Sequence, residues 1–333
     1  MSSADPSPAI RLGTAEAPSE RIALLNEAWP GLAGAPFGEI WGVLAEIAEA
    51  DLGAARMVEP HLDALSILSQ APEPRPAVPD GSTWGVFAAE APGSRLEAHR
   101  QEDGSWALTG VKPWCSLAGE LSHAIVTAHV KGGRQAFAVA LQGPGVTPLE
   151  DAWPSRGLSE IPSGPVEFTG APAEPVGGTD WYLTRPGFAW GGIGVAACWL
   201  GGATGLARAA VTAAQTKPEG PDTAVLAALA GRIDVEILTA CTLLRAAARV
   251  AEGHEPCPDA AEWTYALRVR TAVHRAATTV QALSRELAGP ALLTGNAAFA
   301  KADADLTVYA SQHHGTRDEA ALGRTLLSGG PTW

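Results

Sequence analysis

The sequence predicts an α+β multidomain chain in three parts: an N-terminal helical segment, a central antiparallel β barrel or sandwich, and a C-terminal four-helix bundle. Three observations carry this. Apolar residues recur at helical spacing near both ends of the chain. The middle is built of short β-rich runs separated by Gly and Pro turns. The stretch 71-APEPRPAVPDG, which cannot hold a helix, separates the first part from the second. At 333 residues the chain exceeds what one core usually organises, and boundaries near 80 and 185 divide it into 1–80, 81–185 and 186–333.

In the first part, Ile40, Leu44 and Ile47 recur at i, i+4 and i+7, with Asp51 and Glu59 between apolar positions. Pro60 punctuates the run and 62-LDALSIL resumes it, which reads as two packed helices. In the second part, Trp84–Ala88, Trp106–Leu108, Ala124–Ala128 and Ala136–Leu141 read as strands, with turns at 103-DGS, 132-GGR, 143-GPG, 162-PSGP and 177-GG. In the third, Leu226, Leu229, Ile233, Ile237, Ala240, Leu244 and Ala247 form one helical stripe. Ala266, Val269, Val273, Ala276, Val280, Leu283 and Leu287 form another. With the Gly- and Ala-rich run 190-WGGIGVAACWLGGATGLARAAVTAA they make a bundle of closely approaching helices. Cys198, Trp199 and Leu200 in succession put apolar groups on more than one face, which predicts burial between subunits in a homodimer or homotetramer.

Composition excludes several functions. A net charge of -13 with no basic stripe disfavours nucleic acid, and any anion site must be local. Cys115, Cys198, Cys241 and Cys257 lack metal-like spacing and read as reduced thiols, giving a cytoplasmic expectation. The N-terminus has no apolar signal core, and the Gly-rich run near 187 suits a buried helix better than a membrane span. No metal spacing, phosphate loop or serine-hydrolase elbow occurs.

The motifs 89-AEAPGSR, 106-WALTGVKPWCS, 164-GPVEFTG, 182-YLTRPGF and 193-IGVAACWLGGATGLARA resemble those of the acyl-CoA dehydrogenase family, over about residues 45 to 325. The segment 305-DLTVYASQHHGTRDEAALG resembles the end of a divergent branch that includes flavin-dependent monooxygenases. The resemblance implies FAD, or FMN in its place. It makes Trp114 the residue stacked on the isoalloxazine ring and Ser116 the hydroxyl at the N5 edge, and it sets Ala88 and Ala89 at the pyrimidine edge. An aromatic face adds about 0.5–1.5 kcal/mol beyond area burial. Ser94 falls where the family helps bind the CoA portion, beside Arg95 in place of an Asp.

The match departs in three places. The loop 215-QTKPEGPDTAV lacks the Arg that reaches FAD across a subunit interface in the family. The glycine loop at the dinucleotide reads 285-RELAGPALL, where Gly289 survives, Pro290 removes a donor, and Arg285 stands in as a phosphate ligand. At the position of the catalytic Glu stands His313, with His314 beside it on the substrate side. His313 is the candidate base, since a His titrates near neutrality. Equally, the histidines line the pocket without acting as base, or flank a helix that Thr316 and Glu319 start as a capping box. His61, Asp63 and His274 read as packing residues, and Arg185 and Arg208 as caps or ion-pair partners of the Gly-rich helix. The expectation is a flavin-dependent oxidoreductase acting on an acyl thioester, an acyl-CoA-like molecule or a related small carbonyl compound. An electron-transfer flavoprotein or a flavin reductase would be its redox partner. Its alternatives are a flavin monooxygenase of the same fold and a non-catalytic paralogue serving as a binding or assembly partner.

Overall fold

The computed structural model describes residues 6–149, 153–259 and 261–329, and among these it forms ten α-helices and seven β-strands. The N-terminal part holds α1 (Pro8–Thr14), α2 (Pro18–Ala28), α3 (Phe37–Ala50) and α4 (Leu52–Gln70). The break between α3 and α4 falls at Asp51, not at Pro60 as the punctuation suggested. The Asp51 carboxylate accepts the Ala54 N–H at 2.6 Å and caps α4. Pro60 lies inside α4 and forfeits one helical hydrogen bond without ending the helix.

The middle part contains β1 (Trp84–Phe87), β2 (Leu96–Arg100), β3 (Trp106–Lys112), β4 (His123–Val130), β5 (Gly133–Ala140), β6 (Val146–Pro148) and β7 (Val166–Val176). The pairings run β4 to β2, β3, β7, β5 and back to β4, closing a barrel, with β6 on β7. The barrel is mixed rather than wholly antiparallel, because β1 and β2 both run parallel to β4. The β2–β3 hairpin separates β1 from β4 and gives the chain the crossover length that parallel pairing needs.

After the short α5 (Trp181–Thr184) come α6 (Phe188–Gln215), α7 (Thr223–Ala251), α8 (Glu262–Gly295) and α9 (Ala297–Ala310), the four helices of the bundle. α10 (Thr316–Leu327) follows. α8 is bent at Gly289, whose φ of 70° and ψ of 177° leave the helical region. Lys217 Nζ meets the Leu287 carbonyl at 3.2 Å just before the bend. α6 packs against α3 and α4 of the N-terminal part and against α8 and α9 of the bundle. A Cβ at Gly201 would stand 2.2 Å from the Ala45 carbonyl oxygen, and one at Gly205 would stand 2.4 Å from that of Glu49. These glycines let α3 and α6 touch backbone to backbone.

This placement overturns the expectation drawn from Cys198, Trp199 and Leu200. All three are buried within the chain's own core, and Trp199 Nε1 donates to the Tyr309 carbonyl at 3.1 Å. In the bundle, α7 carries exposed apolar side chains instead, with Val235 and Leu238 each 60% exposed. The capping box does not form either. Thr316 is the first residue of α10, no side chain caps that end, and Glu319 pairs with Arg275 at 2.7 Å.

Candidate active site

A cleft of about 370 Å³ opens between the barrel and the bundle. Ala88 and Ala89, just past β1, line it with Thr127 of β4 and Arg134 and Gln135 of β5. Tyr182, Leu183 and Phe188 form an apolar wall; Arg270 of α8 and His314 complete the lining. The chain leaves the β-ladder at Phe87, so the backbone at Ala88 and Ala89 is outside the β1–β4 pairing.

Under the barrel side of the cleft lies Lys112, which is 1% exposed. Its Nζ donates to Glu90 Oε1 at 2.8 Å and to Thr127 Oγ1 at 3.0 Å. Glu90 also meets His129 Nε2 at 3.2 Å and Arg134 Nη1 at 3.8 Å. Partial burial works against the Glu90 charge, yet Lys112 and His129 hold its carboxyl below the usual range.

Two residues beyond Lys112, Trp114 adopts φ 58° and is 57% exposed. A bulky residue at positive φ is an outlier of the kind that clusters at ligand sites. The Ser116 hydroxyl is already committed. Ser163 spends its proton on the Ile161 carbonyl at 3.1 Å, so Ser116 donates across the 2.8 Å contact with Ser163. Arg56 Nη2 donates to Ser116 at 2.9 Å. Ser116 therefore retains an acceptor lone pair and no free proton, and the donor at this edge is the Arg56 guanidinium, which also lies 5.6 Å from the Tyr309 ring centroid.

His313 and His314 are adjacent in sequence and face different surroundings. His313 is 8% exposed, with its ring 4.3 Å from that of His274 and 6.1 Å from Trp199. Burial, then the neighbouring His274 and Arg270, push its imidazole down to about 4. Its Nδ1 lies 3.3 Å from Asp318 Oδ2 without hydrogen-bond geometry. His314 is exposed and lines the cleft, which His313 does not.

The sequence reading missed three groups. Glu59 is 9% exposed on α4, and burial, with Asp63 adding to it, raises its carboxyl to about 7 against Arg56 and Arg270. It lines a small apolar pocket with Asp63, Phe37, Trp41 and Leu62. Arg270 of α8 lies over the Trp199 ring at 5.2 Å and donates to the Gln312 carbonyl at 3.3 Å, while its buried Nε has no partner. Arg56 is the third. The available signal was the Arg56–Glu59–Asp63 spacing of i, i+3 and i+7, which sets three charges on one face of an otherwise apolar helix.

Trp114 and Ser116 are not part of the cleft lining, and the remaining candidates also stand outside it. Arg285 Nε is bound to Asp303 at 2.6 Å and its Nη2 to Thr307 at 3.1 Å. Gly289 is the bend of α8. Ser94 lies in the turn before β2, and Arg95 pairs with Glu97 at 2.8 Å. Arg185 is 4% exposed and meets Asp63 at 3.3 Å, with its Nε and Nη1 unpartnered.

Fold and cleft together define a chain of the acyl-CoA dehydrogenase fold. Butyryl-CoA dehydrogenase from Megasphaera elsdenii superposes with a TM-score of 0.79 at 16% identity, over 96% of each chain. Dibenzothiophene monooxygenase TdsC from Paenibacillus sp. A11-2 gives 0.76 at 16% identity, again over 96% of each. KijD3, solved in complex with FMN and a dTDP-linked amino keto sugar, gives 0.78 at 18% identity over 97% of this chain and 91% of its own. No family model and no curated protein matches the sequence.

Proposed function

We propose that the chain is a flavin-dependent oxidoreductase, and that among its chemistries monooxygenation fits best. The observation that carries the flavin reading is Trp114, an exposed indole on a left-handed backbone two residues before Ser116. Exposed, it offers a flat apolar face to a ring; the backbone at Ala88 and Ala89, outside the β1–β4 ladder, suits that ring's polar rim. The buried Arg270 Nε, unpartnered on a residue of the cleft lining, fits a site that awaits a polar ligand. FMN fits better than FAD, because Arg285, the cation at the glycine loop, is neutralised by Asp303 and is not left for a second phosphate. TdsC and KijD3, both of this fold, are also described bound to FMN.

When bound, the flavin supplies the two-electron chemistry, with oxygen as its oxidant in the monooxygenase case. Around it, Trp114 would hold the ring face and Ser116, oriented by Arg56, would accept a proton donor at its edge. Arg270 and His314 would hold the substrate, and Tyr182, Leu183 and Phe188 would exclude water. Among the described residues no carboxylate lines the cleft, which suits α-proton abstraction poorly and favours monooxygenation. One observation supports the dehydrogenase instead. Glu59, raised to about 7 beside Arg56 and Arg270, is a carboxylate poised as a base near neutrality.

The visible spectrum of the purified protein tests these. Yellow protein reduced only by an external reductase and reoxidised rapidly by oxygen supports the monooxygenase. Anaerobic bleaching by acyl-CoA supports the dehydrogenase. Protein that stays colourless under saturating FMN and FAD refutes both and leaves the non-catalytic paralogue.

A homodimer or homotetramer belongs to the same proposal. Gly231, Val235, Leu238 and Thr242 form an exposed stripe along α7. Leu238→Lys should lower the sedimentation coefficient, and an unchanged value would remove this face from any assembly.

A further inference from the structure

A guanidinium taken from water is costly unless an anion or a full set of acceptors receives it. Arg270 has neither. Among the described residues its Nε is buried without a partner, and the one acceptor it meets is the Gln312 carbonyl at 3.3 Å. Glu59 and Asp318 act on it through space, yet among the described residues no carboxylate stands within ion-pair distance of it. Arg134 and His314 share the cleft with it, and the described lining holds no acidic group. In a chain of net charge -13 this is a local reversal of sign. The same lining holds Tyr182, Leu183 and Phe188, an apolar wall beside Arg185, whose guanidinium lies 5.1 Å from the Tyr182 ring and 5.6 Å from that of Phe188.

We propose that the cleft binds an organic oxyanion, a carboxylate or phosphate joined to an apolar body, with Arg270 receiving the anionic end and the Tyr182–Phe188 wall packing the rest. This names the substrate class of the cleft assigned above and rests on that assignment. A planar guanidinium suits a two-oxygen anion better than an ammonium does. Arg134, at the barrel edge of the lining and already near Glu90, is the weaker second contact.

The test is calorimetric titration of the flavin-reconstituted full chain with benzoate, phenyl phosphate and benzyl alcohol. Saturable binding of either anion, with benzyl alcohol at least tenfold weaker, is expected. Arg270→Gln should weaken anion binding about 10- to 100-fold and leave benzyl alcohol within about twofold. Arg270→Lys keeps the charge and should fall between, which separates lost charge from lost fold. Equal affinity for benzoate and benzyl alcohol, or anion binding indifferent to Arg270→Gln, overturns the proposal. A separate arm compares FMN with riboflavin. If Arg270→Gln erases the preference for FMN and spares benzoate, the guanidinium serves the flavin phosphate and the proposal falls. Protein that takes up no flavin but binds benzoate through Arg270 supports the oxyanion cleft while refuting the flavin reading.

Discussion

Lys301 and Arg270 are both cations on bundle helices, and their surroundings are opposite. Lys301 Nζ lies 2.6 Å from Glu160 and 2.6 Å from Asp305, and Asp305 also accepts the Leu158 N–H at 2.6 Å. Each charge in that cluster has a partner, and the cluster ties the loop after the barrel's sixth strand to α9. Arg270 meets one carbonyl and leaves a buried N–H empty. A completed network adds rigidity, whereas an incomplete one is a cost that the fold tolerates for a ligand. The contrast separates a completed charge cluster from an incomplete one, at two residues that the sequence pattern does not mark.

The largest effect should come from breaking the completed cluster. Asp305→Ala removes one of the two counter-charges of Lys301 and leaves the Leu158 N–H unpaired, and should cost about 2–4 kcal/mol in denaturant unfolding. A loss under about 1 kcal/mol would mean that the cluster is not structural.

Next come the buried histidines. Burial lowers His61 to about 4, and His61 Nδ1 accepts the Trp84 N–H at 3.3 Å, which requires the neutral ring. His313 is lowered to the same value. A depressed folded pKa gives stability that is present above the unfolded value near 6.5 and lost as pH falls toward 4. Each site should contribute on the order of 2–3 kcal/mol to that acid limb. Replacing His61 or His313 by Gln should shrink the limb between pH 6.5 and 4. For His313→Gln, turnover should change less than for His314→Gln, because His314 and not His313 lines the cleft. The reverse order would restore His313 as the base.

Glu59 has the opposite sign. Its folded pKa is raised from 4.5 to about 7, so its contribution is full below 4.5 and lost as pH rises through 7. Glu59→Gln should stabilise the protein by about 1–3 kcal/mol at pH 8 and leave it unchanged near pH 4. Equal melting-temperature shifts at both pH values would contradict this.

The smallest effect belongs to Arg270. With no anion to lose, Arg270→Gln should change stability by no more than about 1 kcal/mol while weakening ligand binding. A melting loss comparable to that of Asp305→Ala would make Arg270 structural and erase the contrast.

Much of the fold was legible because helices and strands differ in apolar period, and the bundle stripes at Leu229 and Val273 are long. The α3–α4 break was misplaced because Pro60 is a louder signal than an Asp cap, although a helix can absorb one missing hydrogen bond. The parallel pairing of β1 with β4 was not legible, since partner and direction depend on chain closure rather than on either strand's pattern. At the site, the family resemblance carried by 106-WALTGVKPWCS implied roles for Trp114 and Ser116. The sequence was silent on Arg56 taking the Ser116 lone pair, a contact between residues sixty positions apart.

By itself the sequence determined the three-part order of helices, barrel and bundle, because local periodicity and turn chemistry are properties of neighbouring residues. It also determined that any anion site had to be local, because the chain as a whole is acidic. Only the tertiary structure decided which charges are spent and which are free. The adjacent His313 and His314 have different exposures, and the bundle cations Arg285 and Arg270 differ in that only Arg285 has a carboxylate at 2.6 Å. Burial and pairing are set by groups that arrive from distant parts of the chain, and a residue's type and position do not encode them.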